Sequence, residues 1–284
     1  MFFMQIPILD FTLDNSLRYT HYQHTNSHFD FHLHDGYEIY YLIQGDVQYF
    51  VERTNYPLIS GDIVITNSEE IHKPSFLTTH LYERICIEFD PKYFEHFNTS
   101  SFNLFSCFIH RENGKKNKLP RDASLSKNIY RQLKIIEELY TQRSDGYEIL
   151  IKNCVIDILV KINRSFQKTD TICDSFDAPI NLQQVLDYIH HHLEHDLSLE
   201  FLEKKYFINR FYLCKLFKKH TGNSLHHYII YKRMSLAKKL ILENKSFNEV
   251  SELCGYQNYS NFVRIFKQTV GSTPSNYKKS HTSI

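Results

Sequence analysis

Four residues in the first third of the chain have the side chains from which a metal or polar-ligand site is made. His32, His34 and Glu38 follow the spacing H-x-H-x3-E, Gly45 comes after a further six residues, and His72 lies beyond Gly61. On a strand, residues two apart point to the same side, so His32 and His34 would share a face. Later strands would bring Glu38 and His72 across a cavity. Nitrogen and oxygen donors of this kind suit Zn, Mn, Fe or Ni. The same groups hydrogen-bond backbone or an organic molecule equally well. A second histidine cluster, His190 to His192 with His195, places His191 and His195 four apart. On one helix that spacing is either a two-point metal clip or, as preferred here, a solvent face.

The back of the chain offers cations instead. Leu213-Cys-Lys-Leu-Phe-Lys-Lys-His-Thr-Gly222 aligns with Phe262-Val-Arg-Ile-Phe-Lys-Gln-Thr-Val-Gly271 at an offset of 49. A shorter helical segment precedes each copy, so a helix-turn-helix unit occurs twice, at about 199–219 and 247–268. At about 100° per residue, Leu213, Leu216 and Phe217 share one face, with Phe211, Cys214, Lys215 and Lys218 opposite. In the second copy Phe262, Ile265 and Phe266 oppose Ser260, Val263, Arg264 and Lys267. Asn209 and Asn258 stand at N-cap positions. An apolar anchor behind and cations in front is the pattern of a helix that enters a major groove.

Elements of two kinds must position these groups. From Asp30 to Phe89, short β-rich runs alternate with turn signals, predicting an antiparallel sandwich or barrel. Tyr37–Ile43 and Val47–Val51 around Gly45-Asp46 read as a hairpin. The front tyrosines and phenylalanines, Tyr37, Tyr40, Tyr41, Tyr49 and Phe50 among them, are core and rim aromatics, some of which would line a ligand pocket. A 3.6-residue period then takes over, with Ile129, Leu133, Ile136 and Tyr140 on one face and Leu150 or Ile151, Val155, Ile158 or Leu159 and Ile162 on another. Gly146 separates the two runs, predicting a helical hairpin. Residues 168–180 lack periodicity and contain Pro179, as a linker does. The predicted organisation is a β-rich domain at 1–120, a helical hairpin at 121–167, the linker at 168–180, and an all-helical domain at 181–284.

Composition supports two domains and excludes several classes. The chain has 284 residues, 42% hydrophobic and 23% charged, a globular balance. Its net charge of +1 conceals an asymmetry: residues 1–180 carry 18 Lys and Arg against 24 Asp and Glu, residues 181–284 carry 15 against 8. The second part, at +7, calls for an anionic partner. The N-terminus lacks a basic, apolar signal region, and Ile149–Ile162 is interrupted by charge, so neither secretion nor a membrane span is expected. Six cysteines without a C-x-x-C pair read as reduced thiols in a cytoplasm.

Residues 182–280 resemble the DNA-binding domain of the AraC/XylS family of transcription regulators. The resemblance rests on Leu197-Ser-Leu-Glu200, Tyr212–Lys219 with Thr221-Gly222, and Tyr228, Arg233, Met234, Ala237 and Leu240. It continues through Val250, Gly255-Tyr256, Phe262, Arg264, Phe266-Lys267, Gly271, Thr273-Pro-Ser275 and Tyr277. It implies seven helices, with two helix-turn-helix units joined by a central helix at about 225–243. It also implies that Arg210, Phe211, Cys214 and Lys215, then Ser260, Asn261, Val263 and Arg264, face promoter DNA, with Lys218 and Lys267 flanking. Glu203 and Phe207 depart from the pattern, which has a small residue and a glycine there, and a looser first unit is expected.

The front motif resembles the metal-binding motifs of cupin barrels, with Asn67 and Glu69 standing where Pro and Gly belong. The family's sensor barrels carry such residues without metal, which makes His32, His34, Glu38 and His72 an effector site first and a metal site second. The resemblance thus implies a cytoplasmic, effector-responsive activator. It is a homodimer through its helical hairpin, has RNA polymerase as a further partner, and has neither cofactor nor enzymatic activity. The alternative is a metal-dependent cupin enzyme, or a metal sensor, joined to a DNA-binding domain.

Overall fold

The computed structural model describes residues 7–24, 30–76, 81–168, 176–177 and 179–282. The chain divides into two compact units, one made mainly of residues up to Phe176 and the other mainly of Asp177–Ile284. The fold class is mixed as expected, antiparallel β-sheet in front and all-helical behind.

Among the described residues, eight strands precede the helices: β1 (Pro7–Leu13), β2 (Leu17–His24), β3 (Tyr37–Gln44), β4 (Val47–Val51), β5 (Thr54–Leu58), β6 (Ile63–Thr66), β7 (His72–Phe76) and β8 (Tyr82–Phe89). They form a five-stranded sheet in the order β1-β2-β8-β3-β6 and a second sheet in the order β7-β4-β5. A two-residue strand, β9 (Phe176–Asp177), extends the second sheet beside β5, within the segment read as a linker. Residues 169–175 and 178 of that linker, Cys173 among them, lie outside the described residues.

The expected β3–β4 hairpin is not formed. β8 pairs along one edge of β3 and β6 along the other, so β3 has no edge left for β4. Gly45, at φ +130°, turns the chain out of one sheet and into the other. The β1–β2 hairpin was not expected. It turns on Asp14 and Asn15, both left-handed at φ 45° and 57°, a conformation these two residue types tolerate.

Both sides of β3 are interior. Tyr40 and Leu42 pack with Val64, Tyr82 and Cys86 against Tyr49, Val51, Tyr56 and Leu58 of the second sheet. Ile39 and Tyr41 point the other way. They join Ile65, Ile85 and Ile87 against α2 (Ala123–Gln142) and α3 (Tyr147–Gln167), which follow a short helix α1 (Ser106–Ile109). The apolar faces of the helical hairpin, Ile129, Leu133 and Ile136 with Ile151, Val155, Ile158 and Ile162, are spent on this sheet. They are therefore not available as a dimer interface. Exposed apolar groups remain at Ile149 and Leu150, which begin α3.

Among its described residues the second unit has seven helices: α4 (Ile180–His191), α5 (Leu199–Tyr206), α6 (Arg210–Thr221), α7 (Leu225–Leu242), α8 (Phe247–Leu253), α9 (Tyr259–Val270) and α10 (Pro274–Thr282). Ser198, Asn209, Ser224, Ser246 and Asn258 each accept a backbone N–H of the first turn they precede. Met234, Ala237 and Ile241 of α7 form a core with Val250, Phe262, Phe266 and Tyr277. Among the described residues, no helix is long and apolar enough to cross a membrane.

Candidate DNA-binding face and effector site

The two recognition-type helices present the same pattern. In α6, Leu213 and Phe217 are fully buried while Phe211, Lys215 and Lys218 are exposed, with Arg210 and Cys214 partly so. In α9, Phe262 and Phe266 are buried, Ser260, Asn261, Arg264 and Lys267 are exposed, and Val263 is intermediate. The asparagine caps close the first turns from outside: Asn209 accepts from the N–H groups of Phe211 and Tyr212, Asn258 from that of Asn261. Arg264 donates to the side chains of Asn261 at 2.8 Å and Gln268 at 3.1 Å, so its guanidinium is held on the open face. Arg210 instead pairs with Glu200 and lies over the Phe211 ring.

The four candidates divide between the units: His34 and Glu38 lie in the first, while His32 and His72 fall in segments that cluster with the second. His32 is not on a regular strand; it forms a single antiparallel bridge with His72, and their rings meet edge to face at 4.4 Å. His34 lies in the bend before β3, with Nε2 3.2 Å from a Glu38 carboxylate oxygen. Its Nδ1 is 3.2 Å from Glu88, a residue sequence reasoning missed. Glu88 stands opposite Glu38 in the β3–β8 register. Its signal was the alternation of β8, which puts Cys86 and Glu88 on the same side. Burial pushes the Glu88 carboxyl above the ordinary range, and the adjoining His34 opposes that shift. Tyr49 donates to Glu38 at 2.8 Å.

Of the front aromatics in the first unit, Tyr40 and Tyr49 are core residues as expected, packed with Tyr56 and Tyr82. Tyr40 and Tyr82 share a hydrogen bond of 2.8 Å, and Tyr56 donates to the Gly114 carbonyl at 2.8 Å. A cleft of about 390 Å³ lies elsewhere in this unit, between the sheet and the start of α2, lined by Tyr41, Asp62, Arg121, Ser126 and Tyr130 among others. The second histidine cluster is not a clip on one helix. α4 ends at His191, whose ring bonds the Asp187 carbonyl, and His195 lies beyond it, stacked on His192.

Known proteins match both units. A profile described as a helix-turn-helix domain matches residues 202–280, and one described as an AraC-like ligand binding domain matches residues 15–152. The chain belongs to the AraC family. The probable transcriptional regulator LumQ of Photobacterium leiognathi is 33% identical over 100 residues, which are 35% of this chain and 40% of LumQ. The uncharacterized HTH-type transcriptional regulator YtdP of Bacillus subtilis (strain 168) is 33% identical over 122 residues, 40% of this chain and 16% of that protein. YdeC of the same organism, also an uncharacterized HTH-type transcriptional regulator, is 24% identical over 271 residues, 90% of this chain and 88% of its own. The chain therefore spans less than half the length of LumQ and YtdP and most of the length of YdeC.

Within this AraC-family chain the two departures of the first helix-turn-helix unit have structural accounts. Glu203 does not hold the helices apart, since Leu202, Leu213 and Phe217 are fully buried. Its carboxylate accepts the backbone N–H of Arg210 at 3.1 Å, supplementing the cap of α6. In the second unit Ser251 donates instead to the Tyr256 carbonyl. Phe207 adopts the left-handed conformation that the turn demands, at φ 54°. For a residue with a Cβ that conformation costs about 1–2 kcal/mol. At Gly255 a Cβ would lie 2.6 Å from the Leu193 carbonyl oxygen, so there only glycine fits. Arg233, part of the family resemblance, ties helices together by donating to the carbonyls of Leu193 and His195 beyond the end of α4.

Proposed function

We propose that this chain is a sequence-specific DNA-binding transcription regulator whose first domain responds to a small-molecule effector. The observation that carries the reading is the repeated exposure pattern of α6 and α9. Two capped helices in one basic unit present polar and cationic groups in front of a buried apolar anchor. Base-edge contacts fall to Arg264 and to Phe211, Cys214, Ser260, Asn261 and Val263. Backbone contacts fall to Arg210, Lys215, Lys218 and Lys267. The regulator acts in the cytoplasm as an activator, as a homodimer and with RNA polymerase as a further partner. Both matched profiles describe regulator domains, which favours this reading over a metal-dependent cupin enzyme.

Selection of duplexes from a randomised pool by the full-length protein, followed by footprinting, tests the reading. A shared motif with two protected major-groove segments about one helical turn apart supports it. Binding that is indifferent to sequence overturns it.

Among the effector candidates His32, His34, Glu38 and His72, the 3.2 Å approach of His34 to Glu38 favours one refinement, that the effector is a divalent metal ion. Metal analysis of untagged protein purified without chelator should then give about one ion per chain, lost in His34→Ala. Metal-free, folded protein would leave these four residues to a polar organic effector.

A further inference from the structure

We infer that Phe207 is an additional DNA-contacting residue of the first helix-turn-helix unit, an apolar prong that meets the duplex as Phe211 does. The inference rests on the DNA-binding reading above. Phe207 is 95% exposed and Phe211 72% exposed, the two most exposed large apolar side chains among the described residues. Phe207 caps the end of α5 in a left-handed conformation, two residues before the Asn209 cap of α6.

Neither property serves folding. A phenyl ring in water gains no burial, and glycine would adopt the same turn without strain. The second unit, built on the same plan, has Gly255 at this place. The backbone that carries the ring is also held in position rather than left on a loose loop. Glu203 of α5 accepts the Arg210 N–H of α6, which locks the corner that Phe207 occupies.

The surroundings identify the occupant. Exposed Lys204 and Lys205 precede Phe207, and Arg210, Lys215 and Lys218 follow it. Rings framed by cations suit a polyanion with apolar surface between its charges. Duplex DNA has it, in thymine methyl groups and deoxyribose faces.

The test compares the full-length protein with Phe207→Gly and Phe207→Leu on a duplex that the unmodified protein selects from a randomised pool. Phe207→Gly is expected to raise the melting temperature of the free protein while weakening binding ~tenfold. Phe207→Leu should fall between. The slope of affinity against salt should stay unchanged, because an apolar contact releases no counterions. Equal affinity of Phe207→Gly and the unmodified protein overturns the inference and leaves the DNA-binding reading intact. So does normal DNA binding with lost transcriptional output, which would assign the ring to RNA polymerase. Failure of the unmodified protein to select any sequence removes the underlying reading instead.

Discussion

A guanidinium reads a base pair only if it is aimed. Arg264 is held by Asn261 and Gln268 on either side of it along α9, so part of the ordering cost is met before DNA arrives. Arg264→Ala is expected to cost ~1–3 kcal/mol at the preferred site and to relax preference at about one base pair. Competition between preferred and random duplexes checks this, and equal losses on both would remove Arg264 from the base-reading set. Lys218, exposed near the end of α6, is expected to behave differently. Its alanine variant should weaken binding to every sequence and reduce the salt slope by about one, read from titrations at several salt concentrations. Periodicity alone marked both residues as solvent-facing. The aim of Arg264 was not legible, because it depends on the rotamers of two neighbours. The capping role of Glu203 was hidden because it reaches seven residues forward, across the turn.

Elements were legible where one face met water and the other met a core. The helices α6 and α9 of the second unit follow that rule, with Leu213, Phe217, Phe262 and Phe266 buried and the cations exposed. β3 does not: with both faces buried, its alternation carries no side preference, and its pairing is settled by β6 and β8, from outside the local sequence. The first domain also ties its layers by a contact no motif announces. His21, buried on β2, has Nδ1 2.7 Å from Glu137 of α2 and Nε2 2.9 Å from Glu83 of β8. Burial works against the imidazolium, but the two carboxylates outweigh it and raise the His21 pKa above the ordinary value. A raised histidine contributes stability that is complete below about pH 6.5 and is lost as pH rises through the folded-state value. The first domain is therefore expected to unfold at lower temperature as pH rises above 7, a trend that His21→Gln should flatten. His21→Ala, which leaves two carboxylates facing each other, should cost about 1–3 kcal/mol. Calorimetry across pH 6–9 measures both; a melting temperature that rises with pH equally in the parent and His21→Gln would exclude the clamp.

At the scale of the molecule, an acidic sensing half and a basic DNA-binding half divide the work, and a regulator needs the first to change what the second does. Such coupling requires two states that the effector and the promoter favour differently. A dimer supplies them readily, since the joint occupancy of two sites depends on how the subunits are arranged. The sequence pointed to α2 and α3 as the dimer element, but the structure spends their strongest apolar faces on the sheet. What remains is smaller and lies at the start of α3, with Ile149 66% and Leu150 46% exposed. Replacing both with glutamate is expected to leave the melting temperature nearly unchanged, because neither side chain belongs to the core. Sedimentation should then shift from dimer to monomer. Affinity for a full promoter should fall about 10²–10⁴-fold while affinity for a single half-site is retained, since the linked second contact is lost and no DNA-facing residue is touched. A double variant that still sediments as a dimer would place the interface elsewhere; a monomeric parent with full promoter affinity would show that one chain, with its two helix-turn-helix units, suffices.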